Sequence, residues 1–257
     1  MKTTVLVIAS LFLCLKGFCQ TDMGMQMIFV KGASFFMGSD DPHFLDPEYD
    51  KERPVHRVGL GSYYIAKYEV TNGQYRKVMG RYPPAYNGVD YDNKHCDDCP
   101  VVKINYIDAL EFIRKLNEKF PGKHYRLPTE TEWEYAARGG KYTKNFKYSG
   151  SNKISEVAWN GKEKGSTHPV GQKTPNELGI YDMTGNVLEW CSDWYGEDYY
   201  SKTVDEIDPK GPKTGTKRVL RGGSYYDDDI TCRNTYRSRF APETSQWNIG
   251  FRLALDY

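Results

Sequence analysis

Residues 221–252 contain Arg221-Gly222-Gly223-Ser224-Tyr225, Cys232-Arg233, Tyr236-Arg237-Ser238-Arg239 and Asn248-Ile249-Gly250-Phe251-Arg252. No helical period runs through them, and the apolar runs are brief. Arginines set among glycines and aromatic rings suit packed loops, where a guanidinium grips a carboxylate or carbonyls through paired hydrogen bonds. Arg221, Arg233, Arg237, Arg239 and Arg252 are therefore expected to brace the C-terminal loops. The same character begins at Gly140, beyond which the chain is rich in Gly, Asn, Asp, Tyr and Trp. Loops packed on that scale must satisfy buried backbone with ions, aromatic plugs and side-chain hydrogen bonds.

Upstream the pattern is more regular. Met27–Val30 and Ser34–Ser39 read as two short strands broken by Gly32, and Tyr63–Ala66 as another, with an acidic loop from Asp40 to Glu52 between them. Thr71 followed three residues later by Gln74 is a capping box, predicting a helix over Asn72–Met79 that Gly80 ends. Leu110, Ile113, Leu116 and Phe120 recur at helical spacing, with Asn105 or Asp108 as the cap. Thr129 and Glu132 form another capping box, opening a helix through Trp133-Glu134-Tyr135-Ala136-Ala137 that stops at Gly139-Gly140.

Lys2 followed by the apolar run Val5–Leu15 is too short to span a bilayer and reads as a secretory leader covering residues 1–19, cleaved after Cys19. Neither Cys14 nor Cys19 has the small residues before it that lipoprotein processing wants. The expectation is an exported, periplasmic or extracellular protein of bacterial source with no membrane span and one domain, residues 20–257. The 257-residue chain carries 35 basic and 34 acidic residues, a balance that argues against a nucleic-acid partner. Cys96, Cys99, Cys191 and Cys232 remain after the leader. An even number in an oxidising compartment suggests disulfides, and three pairings are open.

Together with Glu69-Val70-Thr71-Asn72, Pro100-Val101 through Asp108-Ala109, Arg126-Leu127-Pro128-Thr129-Glu130, Asn176-Glu177-Leu178-Gly179 and Met183-Thr184-Gly185-Asn186-Val187-Leu188-Glu189-Trp190, the C-terminal signature resembles the formylglycine-generating enzyme (sulfatase-modifying factor) family. The resemblance covers roughly residues 26 to 255. It implies an α+β, C-type-lectin-like fold with little regular secondary structure. It also implies a structural calcium site, in which Asp182 and Glu189 give side-chain oxygens and Gly185 and Val187 give carbonyls; a second calcium site is not expected, since Val157 replaces its asparagine. Catalytic members of the family carry two cysteines that bind copper and oxidise a substrate cysteine. Here the first falls on Asp227 and the second on Cys232, and Leu188 stands where a tryptophan is common. Copper chemistry would then rest on Cys232 and Ser224 with another cysteine swung into place, since a carboxylate is a poor substitute for a thiolate toward soft Cu(I). The two family-like motifs suggest joining Cys191 to Cys232, leaving Cys96 with Cys99.

The favoured reading is a non-catalytic module that binds a protein or glycan through a groove flanked by Tyr225, Tyr226, Asp227, Tyr236 and Trp247, tyrosine being well suited to binding faces. Two alternatives stand beside it: a copper-dependent formylglycine-generating oxidase, and a displayed ligand-binding protein diversified between Tyr225 and Trp247. Asp227-Asp228-Asp229 reads as a solvated acidic loop rather than a metal site. Cys96 and Cys99, with His95 beside them, read as a short-loop disulfide rather than a zinc site.

Overall fold

The computed structural model describes residues 18–20, 23–42, 50–83, 95–163 and 165–257. The expected leader lies outside the described residues as far as residue 17, and the acidic loop does so at 43–49. Strand β1 (Phe18–Gln20) pairs with β2 (Gln26–Val30), followed by β3 (Ser34–Met37), β4 (His56–Gly59) and β5 (Tyr63–Ala66). Helices α1 (Asn72–Met79) and α2 (Tyr106–Lys119) lead through β6 (Tyr125–Arg126) to α3 (Glu130–Ala137) and a single turn, α4 (Ile154–Val157). Beyond come β7 (Leu188–Trp194), α5 (Tyr199–Lys202), β8 (Glu206–Ile207), β9 (Arg218–Arg221), β10 (Ser238–Phe240), β11 (Ile249–Gly250) and β12 (Ala254–Asp256).

Both expected capping boxes form, and a third is found at α2. Thr71 and Gln74 close α1, which ends on Gly80 in the left-handed conformation; Thr129 and Glu132 close α3. In α2 both expected caps act together, Asn105 as the N-cap and Asp108 as its reciprocal partner. The buried face of α2 differs from the expected one. Ile113 and Leu116 are buried and Phe120 partly so, as expected, but Leu110 is 41% exposed, and Tyr106, Ala109 and Phe112 complete the face in its place. Phe112 stacks on Tyr75 of α1 at 5.7 Å and meets Phe251 edge-on at 5.3 Å.

Among the described residues three sheets arrange the rest. The largest runs β1-β2-β5-β12-β6, so the strand nearest the C-terminus lies between two strands laid down far earlier. The second, β10-β9-β7-β11, carries the site. A small third sheet orders β3-β4-β8. Two hydrophobic clusters fill the space between the layers. One holds α1, α2, Trp190, Leu188 and Phe251; the other is built on Trp133, Ile65, Met183 and Cys191.

Candidate functional site

The irregular C-terminal half is held by buried guanidinium groups, as expected for four of the five arginines. Arg237 grips both oxygens of Glu130 at 2.6 and 2.7 Å, while Arg221 reaches Glu130 at 2.9 Å, Glu134 at 2.5 Å and the Asn234 carbonyl at 2.7 Å. Glu130 and Glu134 stand one turn apart on α3, so the helix presents two carboxylates on one face to β9 and the loop that follows it. Arg233 takes both oxygens of Glu52 across 181 residues. Arg252 takes both oxygens of Glu189 at 2.6 Å and adds the Ala66 and Tyr181 carbonyls at 3.0 Å. The Arg239 guanidinium instead lies over the Tyr195 ring at 4.8 Å.

The 182–189 turn is curled by left-handed residues at Asp182, Gly185 and Asn186. Its acidic groups outnumber their cation. Glu69, Asp182 and Glu189 are all buried and sense one another, against the single guanidinium of Arg252. Burial, then the nearby Asp182 and Glu189, push the Glu69 carboxyl well up, and burial lifts Asp182 to about 6. Asp182 Oδ2 accepts from Gly171 N at 2.7 Å, while Oδ1 is buried with no partner. Glu69 is tied to the turn through Asn186 Nδ2 at 2.7 Å and Val187 N at 3.1 Å, a role its Glu69-Val70-Thr71-Asn72 motif did not disclose. Glu189 gives both oxygens to Arg252 and one of them also to Trp133 Nε1. Among the described residues no three His, Cys, Asp or Glu side chains converge as a metal cluster. A hard cation here would therefore rest on Asp182 Oδ1 and main-chain oxygens, a donor set that suits calcium rather than a transition metal.

Of the two expected cysteine pairs one forms and the other does not. Cys96 and Cys99 form a disulfide, whereas Cys191 and Cys232 are free and buried. The expected Cys191–Cys232 bond is absent because the two thiols belong to different clusters: Cys191 packs with Trp133 and Val219, and Cys232 with Tyr148, Ile154, Val157 and Ala158. The Cys96–Cys99 clip turns its carbonyls toward α1. Asn72 N donates to Cys99 O, Gly73 N to Asp97 O and Asn72 Nδ2 to Cys96 O, satisfying donors at the start of the helix.

Ser224 is fully buried in the loop after β9. Its hydroxyl donates to Asp227 Oδ2 at 2.5 Å and accepts from Asn248 Nδ2 at 3.0 Å and Tyr226 N at 3.3 Å. The Ser224 carbonyl accepts from Asp227 N at 3.0 Å, and Cys232 Sγ lies 3.9 Å from the same oxygen. Position 227 is thus beside the thiol and carries a carboxylate. Burial, with Asp227 and Asp228 adding to it, holds the Cys232 thiol far above its usual range, so it stays protonated. A soft Cu(I) site of this kind needs two sulfur donors, and one buried thiol beside a hydrogen-bonded carboxyl supplies a single one, so the residues present do not fit a copper dithiol. Leu188 is packed in the core.

The acidic run is spent on separate tasks. Asp228 Oδ1 accepts from Ile230 N, Thr231 N and the Thr231 hydroxyl, and Asp229 pairs with Asn160 Nδ2 and Lys162. Of the residues expected to flank a groove, Tyr226 is 79% and Trp247 47% exposed, and Trp247 carries the Lys103 ammonium over its ring at 4.0 Å. Ser224 Oγ links the two stretches, since Tyr226 N and Asn248 Nδ2 both reach it. Tyr225 is tied by its N–H to Asn186 O at 2.9 Å, and Tyr236 stands half-buried at the end of a turn begun by Arg233.

A family model described as the sulfatase-modifying factor enzyme 1-like domain matches residues 15–257. A chaperone protein, LppX of Paenibacillus barcinonensis, is 34% identical over 71% of this chain and 76% of its own. The formylglycine-generating enzyme of Thermomonospora curvata is 31% identical over 90% and 93%. Among solved structures, Treponema denticola variable protein 1 superposes with a TM-score of 0.78 at 30% identity, covering 91% of this chain and 95% of its own.

Proposed function

The chain belongs to the sulfatase-modifying factor enzyme 1-like family and has its C-type-lectin-like α+β fold, and from that membership we propose that it acts as an exported binding module rather than a cysteine oxidase. The observation that carries the proposal is Asp227. Where a copper dithiol needs its first thiolate, this chain has a carboxyl hydrogen-bonded to Ser224, next to a buried thiol that burial keeps protonated. The ligand face is the groove between Tyr226 and Trp247, with Tyr225, Asp227 and Tyr236 beside it. A protein is the partner class favoured by the likeness to a chaperone, and a glycan is the alternative. Likeness to a protein named as variable supports a second reading, in which the segment Tyr225–Trp247 differs among copies of this protein; an invariant segment across strains would remove it. Export is supported by the Cys96–Cys99 disulfide, which an oxidising compartment preserves. Among the described residues no helix is long and apolar enough to cross a membrane.

The decisive experiment is a Cu(I) titration of the reduced protein against a chromophoric competitor, run beside a cysteine-peptide oxidation assay. The expected result is no stoichiometric tight copper and no aldehyde product. Tight uptake of one equivalent that Cys232→Ser abolishes would overturn the proposal.

Calcium is proposed as the ion of the 182–187 turn, held by Asp182 with the carbonyls of Gly185 and Val187, while Glu189 anchors Arg252 behind them. Its role is structural, since it would neutralise part of the buried acid excess. Adding calcium to chelator-treated protein is expected to raise Tm by several degrees, and Asp182→Ala is expected to abolish the response. An unchanged Tm in the unmodified protein would show that the buried acids are neutralised by protons instead.

A further inference from the structure

We infer a second ligand site, for a neutral saccharide, in a cavity of about 420 Å³ that shares no residue with the groove. Its wall is Tyr257, and its lining includes Arg126, Glu132, Asp208, Lys210 and Asp256. That volume falls in the range of small-molecule sites.

The first observation is an aromatic ring that is both exposed and held. Tyr257 is 80% exposed, yet its ring lies 5.2 Å from Phe29 and 6.1 Å from Tyr64, which themselves meet at 5.4 Å. Two rings of the large sheet therefore fix the plane of a third that faces solvent. A ring restrained in advance loses little freedom when a flat, partly apolar ligand stacks on it.

The second observation is a polar floor already locked in place. Arg126 donates two hydrogen bonds to Glu132, both at 2.6 Å, and Nε donates to Asp256 Oδ1 at 2.6 Å. Asp208 Oδ1 accepts from Gly61 N at 2.8 Å. Second oxygens of Asp208 and Asp256 and the Lys210 ammonium make no hydrogen bond or ion pair among the described residues. Acceptors and a donor thus line the same cavity as the ring.

Charge and polarity select the ligand class. Three carboxylates against two cations disfavour an anion such as a phosphate or a nucleotide. A purely apolar ligand would strip water from charged groups without replacing their hydrogen bonds. A neutral sugar meets both demands: its C–H face stacks on Tyr257, and its hydroxyls donate to Asp208 and Asp256 and accept from Lys210.

Saturation-transfer NMR on the intact protein tests this with cellobiose, maltotriose and N,N′-diacetylchitobiose as probes and AMP as the anionic contrast. Transfer to the ring protons of at least one saccharide is expected, with affinity about tenfold weaker in Tyr257→Ala and reduced in Lys210→Ala, both variants keeping the parental Tm. Absence of transfer to any of the three saccharides would overturn the inference, as would transfer unchanged in Tyr257→Ala or preferential transfer to AMP. A signal lost in Trp247→Ala but kept in Tyr257→Ala would place the sugar in the groove and sink this site while leaving the groove proposal standing.

Discussion

Glu130→Ala will cost about 3–5 kcal/mol of folding stability, the loss that follows when a buried ion pair is broken from one side. The Arg237 guanidinium is fully buried, and both its carboxylate contacts come from Glu130. Its remaining partners, the Lys51 and Gly196 carbonyls, are neutral. Arg221 is less exposed to the loss, because Glu134 still holds it at 2.5 Å. Removing the charge on both sides separates the pair from the packing: Glu130→Gln with Arg237→Met should recover a good part of the loss. The midpoint of urea unfolding measures each variant; a loss under about 1 kcal/mol for Glu130→Ala would contradict the buried-pair argument.

The same cluster fixes the acid limb of stability. Burial alone would raise both carboxyls, but Arg237 and Arg221 overcome it at Glu130, and Arg138 and Arg221 do so at Glu134, so both sit below the ordinary glutamate range. A folded value below the unfolded one means that the unfolded chain takes up protons first as pH falls. Their contribution is whole above the unfolded value of about 4.3 and drains away as pH falls through the lowered folded values. Glu130→Gln should flatten that limb as well as lower it.

Gly185→Ala will be nearly as damaging, at about 3 kcal/mol or more, and for a steric reason. Gly185 has φ of +78°, and an added Cβ would land on Trp159 O, 2.9 Å from that carbonyl carbon and 3.1 Å from Ala158 Cβ. The obstacle is main chain that cannot rotate aside. Gly185 N also donates to Gly222 O at 2.9 Å, so the turn cannot retreat without losing that bond. Gly179 supplies the control: its φ is +77°, with nothing within 4 Å of the added carbon. Gly179→Ala should lose only the backbone term, about 1 kcal/mol. Equal losses in the two variants would show that conformation, not the close approach to Trp159, makes glycine necessary.

Helix starts were legible because a capping box is a contact between residues three apart, complete within the sequence that encodes it. Thr71/Gln74 and Thr129/Glu132 both formed, while at α2 the sequence offered Asn105 or Asp108 as the cap and the structure uses both. The inner face of α2 was harder to read. Leu110 fits the period as well as Phe112, and what buries Phe112 is Tyr75 and Phe251, far away along the chain. The arginines' role as braces followed from their chemistry, whereas their partners did not, since Glu52 and Arg233 are 181 residues apart. Pairing Cys191 with Cys232 failed for the same reason: motif membership does not report which cluster a side chain joins. Position 227 was identified by alignment of motifs, but its bond to Ser224 and the shared Ser224 carbonyl required coordinates.

The placement of β12 has a consequence for biosynthesis. Residues 254–256 pair with β5 on one side and β6 on the other, so the five-stranded sheet lacks its link between β5 and β6 until the last of its strands in chain order has been made. Until then β5 and β6 each offer an open edge, the kind of surface on which nascent chains stick to one another. The sheet therefore closes only after residues 254–256 have been made, and its two inner edges stay open while the residues between β6 and β12 are added.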